Sequence, residues 1–246
     1  MNTNTEKADT DSAKKTAGES PYNYRRFRPE VYDLASFDGP TVGQRVENLE
    51  LMTLKGDTVR LSDFDGRPVV IETGSLTCPM YAKNIGAMNK LAAQHPDVAF
   101  VVLYVREAHP GERIRPHDST ETKQHLARSL RERLQERRRV LVDNTEGVTH
   151  RALGSLPNMI YVLDADRTVR FRADWNTPAI IESILEETAP VDLVSREHFP
   201  PTKPSPVIAI RTLAYGGFLA IADFVVGLPA LMRLHRRADR HYSTSQ

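Results

Sequence analysis

The stretch PVVIETGSLTCP, residues 68–79, decides the fold of this chain. Its first half, PVVIET, is an apolar and β-branched run of the kind found in a strand that is buried on both faces. Its second half is a turn that ends at Cys78, and residues 79–94 beyond it carry apolar side chains at nearly helical spacing. We therefore expect a central strand followed by a helix, with Cys78 at the junction between them.

The segments on either side alternate between strands and helices. Residues 38–64 contain short alternating runs with a turn at Lys55-Gly56-Asp57, as in a β-hairpin. Beyond Cys78 the sequence predicts a buried strand at 98–105, a charged helix that begins after Ser119, a strand at 139–143, a short helix stopped by Gly154, an antiparallel hairpin from 159 to 175 and a closing helix at 177–187. This order predicts an α/β, thioredoxin-like fold with a central mixed sheet flanked by helices.

Composition divides the chain into five segments. We predict a disordered polar tail at 1–21, an N-terminal arm at 22–37, the thioredoxin-like domain at 38–190, a proline-rich linker at 191–206, and a C-terminal hydrophobic helix with a basic tail at 207–246. The first residues contain no apolar signal-peptide region, so we expect a cytoplasmic active site.

Charge and cysteine content exclude several classes of function. The 246 residues carry 33 Lys and Arg against 32 Asp and Glu, a formal net charge of +1, which argues against a nucleic-acid partner. A single cysteine rules out an internal disulfide, and no ligand-like histidine pair predicts a metal site. We therefore expect no bound cofactor or metal, and a reducing compartment.

Cys78 is the predicted reactive residue. At the N-terminus of a helix, unpaired backbone N–H groups and the positive end of the helix dipole favour a thiolate, which is the nucleophilic form of cysteine. Ser75 stands three residues before it and Tyr81 three residues after it, so the chain has no local C-x-x-C dithiol. An oxidised Cys78 therefore needs an external thiol as its reductant.

Pro157 directly precedes the predicted hairpin, where thioredoxin-like domains keep a cis-proline beside the reactive thiol. We expect a cis bond between Leu156 and Pro157, in a loop that lies beside Cys78. Glu107 and His109 should face the same cleft, since functional residues gather at the carboxyl ends of the strands in open α/β sheets.

Three segments of the chain match the motifs of a known family in order and spacing. GSLTCP is followed by Tyr104-Val105-Arg106-Glu107-Ala108-His109-Pro110 and then by Ile114-Arg115-Pro116-His117. Over residues 38–188 this pattern resembles the iodothyronine deiodinases, thioredoxin-fold enzymes with selenocysteine or cysteine at the catalytic position. The resemblance implies that Cys78 is the nucleophile, that the Ser75 hydroxyl binds the sulfur, and that Glu107 and His109 deliver a proton. It further implies that His117 binds the substrate, and we place Thr77, Tyr81 and Pro157 beside it as substrate contacts.

The implied function is a deiodinase-like, thiol-dependent oxidoreductase that reductively dehalogenates, or otherwise reduces, a small soft electrophile. Two departures from the family pattern are that cysteine replaces selenocysteine and that Arg106 stands where an acidic residue is usual. One alternative is a one-cysteine, peroxiredoxin-like thiol peroxidase, suggested by Ser75 three residues before Cys78, although Ile71 occupies the place of the usual proline. The other alternative is a redox-inert binding module that keeps the thioredoxin fold.

The C-terminal segment TLAYGGFLAIADFVVGLPALM, residues 212–232, contains one charged residue, Asp223, and is followed by several arginines. Its length and basic flank fit a membrane span or an interfacial helix, with membrane contact through residues 208–233. Asp223, Pro229 and the pair Gly216-Gly217 instead fit a helix packed on the domain or on a second copy of the chain, as in a homodimer.

Overall fold

The computed structural model describes residues 22–244, so the tail predicted for residues 1–21 lies outside the described residues. Within them the strands are β1 (Glu50–Thr53), β2 (Thr58–Arg60), β3 (Val69–Gly74), β4 (Ala99–Tyr104), β5 (Arg139–Val142), β6 (Ile160–Leu163) and β7 (Val169–Ala173). The helices are α1 (Pro79–Ala82), α2 (Ile85–Gln94), α3 (Thr120–Leu134), α4 (Val148–Ala152), α5 (Pro178–Leu185), α6 (Val191–Val194), α7 (Pro206–Gly216) and α8 (Phe218–Thr244). Short 3-10 helices cover Pro29–Val31 and Leu61–Phe64.

These strands form one mixed sheet in the order β2-β1-β5-β4-β3-β6-β7. β3 lies in the middle of the domain, parallel to β4 and antiparallel to β6, and β6 and β7 form the antiparallel hairpin predicted at the far edge. Every residue of β3 and β4 is buried, as expected for continuous apolar runs covered on both faces. The topology is the thioredoxin-like α/β arrangement predicted from the sequence.

Alternate residues of the central strands point to opposite layers of helices. Val69 and Ile71 pack in one core with aromatic residues of the N-terminal arm and with the far half of α8. Val70 packs on the other side with α2 and α5. A third cluster contains Cys78 and Tyr104 together with residues of α1 and α3. The C-terminal helix therefore covers the domain along one side.

The helix predicted for residues 79–94 is interrupted after one turn. α1 ends at Ala82 and α2 begins at Ile85. Between them the N–H of Asn84 binds the carbonyl of Tyr81 at 3.0 Å, an i−3 bond that tightens the turn. The Asn84 amide also donates to the carbonyl of Asn176 at 2.9 Å. Cys78 consequently precedes a single helical turn and not a long helix.

The C-terminal extension is two helices that meet at Gly217, whose φ of +100° is a left-handed conformation suited to glycine. The Glu112 carboxylate accepts the N–H of Leu219 at 2.8 Å and so caps the start of α8. α8 has 27 residues and a mean hydropathy of 1.5 in its most apolar window, of which 11% is buried. By length and composition, it is the one helix in the described part of the chain that could cross a membrane.

Candidate active site

The loop after β3 places Cys78 against the loop after β4. A Cβ at Gly74 would lie 2.5 Å from the ring of Tyr81, so only glycine fits where the strand ends. The carbonyl of Ser75 accepts the N–H of Cys78 at 3.2 Å, and its hydroxyl oxygen accepts the N–H of Ala108 at 3.1 Å. Ser75 therefore ties the two loops together, whereas the resemblance assigned its hydroxyl to the sulfur.

Glu107 is the centre of the hydrogen bonds in this site. Its buried carboxylate accepts the N–H of Thr77 at 2.9 Å and the Thr77 hydroxyl at 2.6 Å, and it also accepts the hydroxyl of Tyr104. Nε2 of His117 lies 3.6 Å from Glu107 Oε1. Burial alone would raise the pKa of Glu107, but the neighbouring His117 and the donated hydrogen bonds lower it below its usual value.

His109 lies beside this centre, and its Nδ1 is buried without a hydrogen-bond partner among residues 22–244. Its backbone N–H donates to the Thr77 hydroxyl oxygen at 3.0 Å. Its ring lies between two aromatic rings, with centroids 4.3 Å from Phe27 and 5.4 Å from Phe224. Burial lowers the pKa of His109 to about 3, so the imidazole is neutral. The imidazole that pairs with Glu107 is His117.

The prediction of a thiolate at Cys78 is wrong for this arrangement of the chain. The side chain is 2% exposed, and burial raises the pKa of the Cys78 thiol to about 12, although the backbone N–H groups of Tyr81 and Met80 oppose the shift. The physical reason is twofold. A helix of one turn supplies only a small dipole, and the apolar surroundings penalise the charged sulfur more than the dipole stabilises it.

Two segments from the ends of the described chain close the site, and we call them the cover: residues 22–37 together with α7 and α8. Arg26 and Asp223 join its two parts through a bidentate ion pair at 2.5 Å. α7 lies against α1, and a Cβ at Gly216 would lie 2.6 Å from the carbonyl oxygen of His109. Cys78 and His109 are therefore shut away from solvent.

Arg106, the departure from the family pattern, fixes the N-terminal part of the cover. Its guanidinium carbon lies 5.0 Å from the ring of Tyr22, 5.2 Å from Tyr24 and 4.8 Å from Tyr32. Burial alone would lower the pKa of the guanidinium. The three tyrosines together raise the pKa by more than burial lowers it, so the net pKa lies above the usual value. An acidic residue at this position could not make these cation–π contacts. The aromatic composition of residues 22–37 is the sequence signal for this anchor.

The predicted cis bond at Pro157 is also wrong, because the described residues contain no cis peptide bond. The loop does lie at the end of β3, where the Thr73 hydroxyl oxygen accepts the N–H of Met159 at 2.9 Å. With the bond trans, the Leu156 carbonyl is 2.8 Å from Nε2 of His150 and 3.3 Å from the Thr73 hydroxyl. These partners satisfy the carbonyl, and nothing offsets the intrinsic preference of the peptide bond for trans.

The remaining predicted substrate contacts lie inside the protein. The Tyr81 hydroxyl donates to Glu136 at 2.6 Å, and the Thr77 hydroxyl donates to Glu107 at 2.6 Å. Glu136 belongs to a buried network missed by the sequence analysis, in which Arg138 binds both Glu136 and Glu72. The glutamate within the apolar run PVVIET is the signal that could have indicated it, since an unpaired carboxylate is rarely buried. No group of three potential metal ligands occurs among residues 22–244.

Together these features define a thioredoxin-fold protein with a single cysteine at the end of its central strand, in contact with the segment that carries Glu107 and His109. The iodothyronine deiodinase family model matches residues 20–174, and the chain belongs to this family. Members of the family are oxidoreductases.

Individual relatives are similar over part of their length. The chain is 26% identical over 160 residues to the type I iodothyronine deiodinase of Xenopus laevis, a match that covers 60% of this chain and 63% of that protein. It is 38% identical over 78 residues to the thyroxine 5-deiodinase of Aquarana catesbeiana, covering 30% of this chain and 29% of that protein. The chain thus spans less than two thirds of the length of these relatives.

Solved structures resemble the fold alone. A hypothetical protein from Sinorhizobium meliloti 1021 has a TM-score of 0.50 at 14% identity and covers 66% of this chain and 93% of its own. An uncharacterized conserved protein from Geobacillus kaustophilus has a TM-score of 0.50 at 19% identity. The match covers 66% of this chain and 89% of that protein's chain.

Proposed function

We propose that the protein is a thiol-dependent oxidoreductase that removes a halogen from a small, soft organic electrophile, with Cys78 as its nucleophile. The observation that carries the proposal is the convergence of three family motifs on one point. Thr77, next to Cys78, is bonded to Glu107 and to the backbone of His109, and Glu107 faces His117. The relatives are named for the deiodination of iodothyronines, which supports an iodinated aromatic ring as the substrate class.

The reaction needs a nucleophile, a proton and two equivalents of an external thiol. The Cys78 thiolate attacks the iodine, so that an S–I bond forms, the C–I bond breaks and the electron pair stays on carbon. A proton then converts the carbanion to C–H. One external thiolate displaces iodide from sulfur to form a mixed disulfide, and a second releases Cys78 as thiolate and leaves as the external disulfide.

The cover must move before this chemistry can start. A thiol with a pKa of about 12 is protonated at neutral pH, and an imidazole with a pKa of about 3 is neutral, so it lacks the acidic proton of an imidazolium. Burial is the largest cause of both shifts, so hydration of the site moves the pKa of Cys78 down and the pKa of His109 up. Opening the cover therefore creates the nucleophile and the acid in one step, with His109 as the proposed proton donor.

Iodide release tests the proposal directly. The full chain is incubated with an iodinated phenol and dithiothreitol, and iodide is measured over time against Cys78→Ala, which lacks the nucleophile. We expect release from the native chain, none above background from Cys78→Ala, and a rate that depends on the thiol concentration. Equal release from both proteins contradicts the proposal, as does release that needs no external thiol.

The peroxidase alternative predicts a different product. Hydrogen peroxide would convert Cys78 to a sulfenic acid far faster than it oxidises free glutathione, and a sulfenic-acid trapping reagent would report it. The hydroxyl oxygen of Ser75, which this alternative would place against the peroxide, accepts the N–H of Ala108 at 3.1 Å.

A further inference from the structure

α8 has two apolar faces, of which one is packed. Its inner face contains Ala220 and Ala238, both buried, Leu231 and Leu234 against the core, Phe224 on the ring of His109 and Gly227 beside Pro29. These residues recur every three or four positions and hold the helix along the domain. The opposite side contains Phe218 at 74% exposure, Val225 at 62%, Met232 at 41% and the exposed Pro229. We call this side the outer face.

The outer face changes from apolar to basic along its length. Past Met232 the same side continues with Arg233, Arg236 and Arg240, and Arg237 lies at its edge, all four exposed. The two acidic residues of α8 are already bonded, Asp223 to Arg26 and Asp239 to His198. The outer face therefore carries positive charge with no acidic side chain free to neutralise it.

We propose that the outer face of α8 binds an anionic lipid surface, with the helix lying in the membrane plane. The inner face is held by the domain, so this orientation uses the apolar residues without unpacking the helix. Phe218, Val225 and Met232 enter the boundary between headgroups and acyl chains, and the arginines meet the phosphates. At 1.5 Å per residue, the 27 residues give a contact about 40 Å long. The outer face lies on the side of α8 that points away from His109, and lipid binding there does not rest on the chemistry proposed at Cys78.

The charge pattern favours lipid over a second copy of the chain. Two α8 helices packed in parallel through their outer faces would oppose arginine with arginine, whereas an antiparallel pair would bury the arginines against Phe218 and Val225. In a membrane, anionic headgroups lie beside the hydrocarbon layer. The apolar half of the outer face can therefore enter the layer while its arginines contact the headgroups. Val207 and Ile210 on α7, at 75% and 62% exposure, add further unpaired apolar surface in the same extension.

Vesicle flotation tests the proposal with the full chain. Vesicles of phosphatidylcholine alone are compared with vesicles that also contain phosphatidylglycerol, at low and high salt. We expect flotation with the mixed vesicles, little with the neutral ones, and release by salt. Val225→Asp should weaken binding about tenfold, because it places a charge where an apolar side chain enters the lipid. Arg236→Glu should weaken binding to the mixed vesicles alone.

The matched control is Val148→Asp, since Val148 is also an exposed valine, at 54%, but lies on α4. Its binding should equal that of the native chain, and circular dichroism should show all variants folded. Two flotation results would overturn the proposal: no flotation of the native chain with mixed vesicles, or equal flotation of Val225→Asp and the native chain. A third would be a dimer in sedimentation that Val225→Asp converts to monomer, together with no vesicle binding, because the outer face would then be a contact between two copies of the chain.

Discussion

The loops that carry the candidate site and the cover that closes it are held by different interactions. Ser75, Thr77 and Glu107 join the ends of β3 and β4 through buried hydrogen bonds. The cover is held mainly by apolar packing on the core and by the contacts of Arg106 with its tyrosines. It adds some buried hydrogen bonds, such as that from the Tyr24 hydroxyl to the Ala108 carbonyl at 2.9 Å, and the Arg26–Asp223 pair, in which the arginine side chain is 47% exposed. Buried hydrogen bonds are costly to break, and exposed ion pairs contribute little. We therefore expect the exposed Arg26–Asp223 pair to separate before the buried hydrogen bonds of the loops do.

The largest expected effect comes from removing the buried carboxylate. Glu107→Ala leaves the N–H and hydroxyl of Thr77 and the hydroxyl of Tyr104 without their acceptor. We expect a loss of about 3 kcal/mol in the free energy of unfolding, measured by urea denaturation. Glu146→Ala, which removes an exposed carboxylate, is the control and should leave stability unchanged. A Glu107→Ala protein as stable as the control would show that the loops are not held in this way.

The pH dependence of stability reports the burial of the His109 ring, which the hydrogen bonds of the loops do not determine. Its pKa of about 3 in the folded protein lies below the unfolded value near 6.5, so between these values the unfolded chain binds a proton that the folded chain excludes. The stability contributed by the neutral ring is complete above pH 6.5 and falls as the pH drops towards 3, by at most about 1.4 kcal/mol per pH unit.

The measurement is urea denaturation at several pH values from 7 to 5, above the range in which Glu107 titrates. His109→Gln should reduce the slope of the free energy of unfolding against pH. The reduction should be at most what the uptake of one proton contributes, about 1.4 kcal/mol per pH unit. His150→Gln is an informative companion, because burial also lowers the pKa of His150 to about 3 but this ring is bonded to Tyr22 and Leu156. An unchanged slope in His109→Gln would mean that the cover leaves the imidazole hydrated.

A glycine at the end of α7 offers a way to loosen the cover without replacing a proposed catalytic side chain. A methyl group at Gly216 would collide with the carbonyl of His109, so Gly216→Ala should push α7 away from the loop. We expect Cys78 to react with iodoacetamide at neutral pH about tenfold faster in Gly216→Ala, because the opened site hydrates the thiol. Gly86→Ala is the matched control, since a Cβ there meets nothing within 4 Å. Equal alkylation rates in the two variants would contradict the role given to α7.

The parts of the fold that the sequence predicted are those fixed by local pattern. Continuous apolar runs predicted β3 and β4 to within a residue or two, and Ser119 was recognised as the residue that caps α3, where its hydroxyl accepts the N–H of Thr122. The hairpin predicted from 159 to 175 turns at Asp164 to Arg167, where the N–H of Arg167 binds the carbonyl of Asp164. Each depends on residues close in sequence, which is why pattern sufficed.

The predictions that failed depend on contacts between distant segments. The motif around Cys78 indicates a thiolate, but the thiol is buried in a cluster that no local motif records. The cluster also contains Val102 of β4 and Ala127 of α3, and Tyr215 of α7 packs against it. The resemblance implies that Glu107 and His109 share the delivery of a proton. In the loop the imidazole of His109 turns towards Phe27 and Phe224, and the Glu107 carboxylate turns towards His117.

The smallest expected effect is at the ion pair that joins the two parts of the cover. Arg26→Ala and Asp223→Ala should each leave the urea midpoint nearly unchanged, since Arg26 is exposed and screened by solvent. Each should still raise the rate of Cys78 alkylation by a small factor, because the pair links the N-terminal arm to α8 across His109. If the pair acts as a unit, the double variant should react no faster than either single variant, and high salt should accelerate the native chain towards the same rate. Rates that multiply in the double variant would mean that each side chain holds its own segment, and that the arm and α8 open independently.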